Sequence, residues 1–289
     1  MKKNKVSFIF AAPAWIVYTV LLIIPILMAF VFSFFKWNGI STMKFAGLGN
    51  YIRIFQDARL GNALENTLIV ASVVVVFVNA GGLFVAILLN KSTWFSNLCR
   101  TAYFIPVIMS TVAVSFVWKS ILAYNGVLNS ILQSIGLENI IINSMSSRGS
   151  ALTCVCLVEI WKNFGYYMMI YVAALQTVPA ELYEACIVDG GNAWDQFRNV
   201  TLPMIIPGAS VSVIMSIINE LKIYDVIKVM TDGGPGYDTE TIVYNIVAQG
   251  FSNSRVGYSS AISILLFIVT AAISAFIMRK SNQAGGDLQ

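Results

Sequence analysis

The chain has 289 residues, of which 57% are hydrophobic types and only 11% charged, and its mean hydropathy is +0.76. A soluble domain carries about 25% charged residues, so this composition excludes an ordinary water-soluble globule and makes the bilayer the solvent. A net charge of +4 without a contiguous basic block argues for no nucleic acid, and the absence of histidine removes imidazole bases, Ser-His-Asp triads and His-containing metal sites.

A helix needs about 20 mostly apolar residues to cross the hydrocarbon. Such stretches fall near 8–34, 67–90, 101–122, 151–176, 204–224 and 259–279, which predicts an all-α polytopic membrane protein with about six transmembrane helices. Helices are required because a lone strand leaves its amides unpaired in lipid. In the first stretch Pro25 lies mid-span and is expected to kink it. Lys2, Lys3 and Lys5 resemble the start of a signal peptide, but the apolar run that follows is too long for one, so an uncleaved first span is expected. Cys154 and Cys156 sit two apart in an apolar run and no CxxC occurs, so all four cysteines read as small apolar fillers rather than metal ligands or disulfide partners.

The organisation predicted is a first span with an outer loop over 1–66, a membrane core over 67–280, and a tail over 281–289. With six spans, the termini share a side with 91–100 and 177–203. That side holds Lys2, Lys3, Lys5, Lys91, Arg100, Arg198, Arg279 and Lys280 in short segments, against sparser cations in the longer segments opposite. By the positive-inside rule both termini are expected in the cytoplasm.

The segment 177–203 is too long for a bare turn. Pro179 suits the first turn of a helix, Glu181 complements its dipole, and Leu182, Ala185 and Cys186 make a small-residue face. Gly190 and Gly191 supply the positive φ that ends helices. A second short helix, roughly Ala193 to Val200, leads into Thr201-Leu202-Pro203. By spacing alone this helix–turn–helix is either a surface cap or a docking site.

Glu184-Ala185-Cys186, then Asp189-Gly190, then Val200-Thr201-Leu202-Pro203 resembles the coupling motif of binding-protein-dependent ABC importer permeases, which reads EAA, three residues, G, nine residues, I-x-L-P. Cys186 replaces the second alanine, Val200 the usual isoleucine, and Gly191 a common alanine; the substitutions in the helix keep the side chains small. Further stretches are similar to the sugar-specific branch: Glu159 to Tyr166 and Tyr171 to Pro179, Tyr224-Asp225, Met230 to Gly236, and Thr239 to Ala261. The pattern is that of the first of two paired permeases, as in maltose, raffinose and glycerol-phosphate importers.

The resemblance implies a type I importer permease in a bacterial plasma membrane. It would pair with a second homologous permease, face an extracellular solute-binding protein, and dock a coupling helix onto ATPase subunits. Glu184, Ala185, Cys186, Asp189, Gly190, Leu202 and Pro203 are the docking residues carried over. The chain has no phosphate-binding Gly-Lys-Ser/Thr loop, so ATP and Mg would be bound by the partners, and no catalytic or metal site is expected here. Intramembrane charge is costly, which singles out Glu159 and Lys162, one turn apart, either as a mutually neutralising pair between helices or, with their neighbours, as a functional polar stretch. Asn163, Tyr167, Asn219 and Glu220 are the residues expected to line a sugar pathway, because hydroxyl hydrogen bonds and aromatic faces bind sugars. The alternative class is an ion-coupled secondary transporter, but its inverted repeats are not evident. An enzyme lacks a nucleophile with its base. Neutral oligosaccharides are favoured over glycerol phosphate or an acidic oligosaccharide, since a phosphate would call for more Arg or Lys.

Overall fold

The computed structural model describes residues 2–91, 93–137 and 145–286. Helix α1 (Lys2–Tyr18) passes through a π turn (Thr19–Ile23) into α2 (Ile24–Phe32). A two-strand ribbon follows, β1 (Phe35–Lys36) and β2 (Lys44–Phe45), then α3 (Gly49–Ile54) and the long α4 (Ala58–Leu88). The middle of the chain forms α5 (Trp94–Ile108), α6 (Thr111–Leu122), α7 (Val127–Ser134), α8 (Arg148–Gln176), α9 (Ala180–Val188) and α10 (Ala193–Gln196). A π turn (Phe197–Thr201) leads to α11 (Leu202–Leu221), and the chain ends with α12 (Asp225–Met230), α13 (Ile242–Val247), a π turn (Ala248–Ser252) and α14 (Val256–Gly286). The last three residues of the expected tail lie outside the described residues.

Among the described residues, five helical stretches are long and apolar enough to cross a membrane: Phe10–Phe32, Ala58–Leu88, Thr111–Ser134, Ala193–Met230 and Val256–Lys280. The expected span at 151–176 corresponds to α8, whose 29 residues reach about 43 Å. Glu159, Lys162, Asn163 and paired tyrosines lower the apolarity of α8, and fifteen of its residues are buried. Glu159 and Lys162 are among the buried ones, packed against protein.

Two expectations for the spans are corrected. The stretch 101–122 is not one helix: α5 ends at Ile108 and α6 starts at Thr111, with Met109 and Ser110 in extended conformation between them. The segment Ala193–Val200 is not a separate short helix, because α10 continues through its π turn into α11 without a break. Proline explains the first two π turns. The ring removes an N–H and crowds the carbonyl four residues earlier, and a widened turn precedes Pro25 and Pro203 alike, with Ile24 N–H bonded to Thr19 O and Leu202 N–H to Phe197 O.

The residues cluster into two compact units, Met1–Gly61 with Asn245–Val269, and Asn62–Tyr244 with Thr270–Gln289. In the first, Asn50 Nδ2 donates to the Ser33 and Phe35 carbonyls at 2.8 and 2.9 Å, tying α3 to the ribbon. Tyr258 Oη donates to Asp57 at 2.8 Å, and the Gly257 amide reaches the Trp37 carbonyl at 3.2 Å.

In the second unit α8 is the hub, packed against α5 and α11 and touching α6 and α12. Small residues permit the close approach: a Cβ on Gly165 would stand 2.0 Å from the Tyr103 carbonyl, and one on Gly208 would stand 2.5 Å from the Ala174 Cβ. Val70, Val74 and Val78, one turn apart on α4, enter a core with Val114, Val155, Val226 and Ile227. A second core joins Ala86, Met168, Tyr171, Val172, Leu175 and Ile205.

Between the cores Asn79 bridges three helices. Its Oδ1 accepts from Tyr171 Oη at 2.9 Å and Ser212 Oγ at 2.7 Å, while its Nδ2 donates to Ser216 Oγ at 2.8 Å. The loop after α12 is anchored in a similar way, with Asn66 Nδ2 donating to the Asp238 and Glu240 carbonyls at 2.8 Å and Asn66 Oδ1 accepting from Arg148 Nε at 2.9 Å. Lys228 and Tyr244 both donate to Asp232, which holds its carboxyl below the usual carboxylate range. Interhelical hydrogen bonds in membranes are worth about 0.6 kcal/mol on average and reach about 1.7. Asn79→Ala should therefore lower stability by about 2 kcal/mol through three lost bonds, read by detergent unfolding of the purified chain. Unchanged unfolding would mean that the node does not hold α4, α8 and α11 together.

Candidate functional site

The break between α5 and α6 has a counterpart. Helix α11 unwinds at Lys222, and Ile223 and Tyr224 separate it from α12. Between these interruptions lies a polar cavity of about 310 Å³ in the second unit. Non-helical backbone at membrane depth is tolerated where it lines such a cavity. Helix α8 contributes Glu159, Lys162 and Asn163, spaced i, i+3 and i+4 on one face. The end of α11 contributes Asn219 and Glu220, and the link to α12 adds Lys222, Tyr224 and Asp225.

Three of the four residues expected in the pathway, Asn163, Asn219 and Glu220, therefore line one cavity. Tyr167 stands behind its wall, 1% exposed, where its hydroxyl accepts from Asn219 Nδ2 at 3.1 Å. It orients a lining residue instead of lining the space itself. Tyr166 diverges from it around the helix and is exposed, with the two rings edge to face at 5.2 Å. Asn163 Nδ2 donates to Glu159 Oε2, which leaves its amide oxygen for another donor. Glu220 is 2% exposed, and its Oε2 has no hydrogen-bond partner. A buried acceptor left bare is costly, and a hydroxyl-bearing ligand in the cavity would satisfy it.

Thr111 at the start of α6 also lines the cavity and was missed from sequence. The break that exposes it has no Gly or Pro of its own, and the one local signal is Pro106 just upstream. Among the described residues no group of three His, Cys, Asp or Glu side chains could hold a metal ion, and none of the four cysteines is in a disulfide.

Helix α9 forms a second candidate surface. Pro179 is extended at its N-terminal boundary and Glu181 lies in its first turn. It stops where Gly190 takes φ +84°, with the Gly190 and Gly191 amides bonded to the Ile187 and Cys186 carbonyls at 2.9 and 2.8 Å. The next helix starts on a capping box, Asn192 with Asp195. Glu184, Ala185, Asp189 and Gly190 are exposed, Cys186 is half-buried beneath Gly191, and Leu202 and Pro203 lie in the first turn of α11. Tyr183 Oη and Thr201 Oγ1 share a hydrogen bond at 3.0 Å that ties α9 to the helix after it. Ile187, Val188 and Trp194 remain exposed at 58%, 85% and 64%, an uncovered apolar edge beside the carried-over residues.

Comparison with known proteins follows the same outline. Residues 78–283 match the family model of the binding-protein-dependent transport system inner membrane component. A probable starch degradation products transport system permease protein of Thermoanaerobacterium thermosulfurigenes is 31% identical over 266 residues, covering 92% of this chain and 90% of that protein. The lactose transport system permease protein of Rhizobium radiobacter is 31% identical over 274 residues, covering 93% and 91%. Among solved structures, a chain of a bacterial ABC transporter involved in the import of alginate superposes with a TM-score of 0.84 over 98% of this chain and 96% of that one; at 22% identity the likeness establishes the fold. The chain belongs to the family of binding-protein-dependent transport system inner membrane components.

Proposed function

We propose that the protein is the membrane-spanning permease subunit of an ATP-driven ABC importer of carbohydrates, oligosaccharides in particular. One observation carries the mechanism: α8 and α11, the helices that furnish the cavity, are also the helices that flank α9. A force on α9 passes directly into both cavity walls. Short hydrogen-bonded connections, the Gly190–Gly191 stop and the Tyr183–Thr201 bond, make α9 a lever that transmits displacement. In this reading α9 lies on the cytoplasmic side, and Glu184, Ala185, Cys186, Asp189, Gly190, Leu202 and Pro203 seat it on an ATPase subunit. ATP and Mg are bound by those subunits, a second permease completes the pathway, and an extracellular solute-binding protein delivers the sugar.

Support for a carbohydrate comes from near full-length relatives named for starch products and lactose. The cavity contributes a chemical argument. Its charged groups are three acids, Glu159, Glu220 and Asp225, against two lysines, Lys162 and Lys222. A phosphate or uronate would meet more acids than bases, whereas neutral hydroxyls can donate to the carboxylates and accept from the ammonium groups. This favours neutral oligosaccharides over glycerol phosphate or an acidic saccharide. An ion-coupled secondary transporter is not favoured, since it gives no role to an exposed helix between the cavity walls.

Glu184→Lys and Gly190→Pro should insert normally yet abolish solute-stimulated ATP hydrolysis by the reconstituted complex; normal stimulation in both would remove α9 as the docking element. Asn163→Ala and Asn219→Ala should each raise the solute concentration for half-maximal stimulation by up to about tenfold, the loss of one neutral hydrogen bond. Unchanged half-maximal concentrations and unchanged sugar preference in both would reject the cavity as the pathway.

A further inference from the structure

The first unit contains a cavity that none of the transport chemistry uses. Lys36 on β1 stands directly opposite Lys44 on β2. Directly opposed side chains share a face, and like charges there repel. Arg53 of α3 and Arg255 just before α14 line the same cavity, of about 450 Å³, and no Asp or Glu is among its lining residues. The acid of this region, Asp57, is already engaged by Tyr258 Oη and by the Arg59 and Leu60 amides. Four positive groups thus converge with no carboxylate among the lining residues.

The walls are built rather than loose. The Trp37 indole donates to the Ser41 carbonyl at 2.9 Å, and Asn38 Oδ1 accepts from the Ile40 and Ser41 amides and from Ser41 Oγ. The Arg53 guanidinium lies over the Tyr258 ring at 5.0 Å. The surroundings are apolar: Ile40, Phe45 and Phe55 are 93%, 74% and 85% exposed on the same segments. The ribbon starts three residues after α2 ends, and Arg255 immediately precedes α14, so the cavity sits at the ends of two apolar spans. Cations gathered inside, apolar side chains outside and a tryptophan in the wall are the composition of a membrane–water boundary.

We propose that this cavity binds the phosphate headgroup of an anionic phospholipid, with Lys36, Lys44, Arg53 and Arg255 as counter-charges and Phe45 and Ile40 against the acyl region. The positive charge without lining acids selects a net anionic lipid over a zwitterionic one.

The test is native mass spectrometry of the full chain in its purified complex, after exposure to mixed micelles of phosphatidylglycerol and phosphatidylcholine. Wild type should retain phosphatidylglycerol preferentially. Lys36→Gln with Lys44→Gln should reduce that retention by roughly tenfold or more, two charges near the surface being removed. Lys36→Arg with Lys44→Arg should restore it, which separates lost charge from lost fold. Equal retention of both lipids by wild type, or undiminished retention in the glutamine variant, would overturn the proposal. Displacement of the bound species by excess inorganic phosphate, without preference between the lipids, would overturn it in favour of a soluble anion. Loss of solute-binding-protein affinity in the glutamine variant, with lipid retention unchanged, would overturn it in favour of a protein partner.

Discussion

A polar group buried among helices in lipid has no water to fall back on, so it must find its partner on a neighbouring helix. Asn79 meets that requirement. Its amide joins Tyr171 of α8 to Ser212 and Ser216 of α11, and the rest of the second unit is arranged around that junction. The bonds need close backbones, and the packing surfaces provide them: Gly165 lets α5 approach α8, and Gly208 lets α11 do so. A side chain at Gly208 would push apart α8 and α11, two of the helices that Asn79 joins, and one at Gly165 would push α5 away from α8.

The same constraint accounts for where the cavity lies. With Glu159, Lys162 and Asn163 near its centre, α8 cannot present that face to lipid, and the helices opposite break to surround it. The interruptions at Met109–Ser110 and Lys222–Tyr224 turn a packed bundle into one with a polar hollow. Both walls of that hollow continue into the α9 region, through Gln176 from α8 and back through α10 into α11. Under the proposed function, coupling at one end and solute handling at the other are two ends of the same two helices.

Much of this was legible in the residues. Apolar runs gave the helices, Pro179 and Gly190 gave the bounds of α9, and Pro25 gave the irregularity in the first span. What sequence could not supply was partnership. Asn79 pairs with residues 92, 133 and 137 positions away, and nothing local marks them. Residues 101–122 read as one helix because the break falls at Met109–Ser110, where neither residue forbids helix and tertiary contacts decide. Ala193 to Leu221 read as a short helix and a separate span, yet a widened turn carries one into the other through Pro203. Tyr167 was placed in the pathway on its chemistry, whereas packing puts it one layer back, in contact with Asn219.

We propose that ATP binding at the partner ATPase subunits, transmitted through α9, switches the access of the cavity between α8 and α11. The most direct measurement is thiol labelling of an Asn219→Cys variant, in a background where the four native cysteines are replaced, within the assembled complex in vesicles. Impermeant reagent would be presented from each side, with and without ATP. The side from which residue 219 reacts should change when ATP is bound and revert on hydrolysis. Reactivity that ignores ATP and instead follows an imposed ion gradient would contradict it.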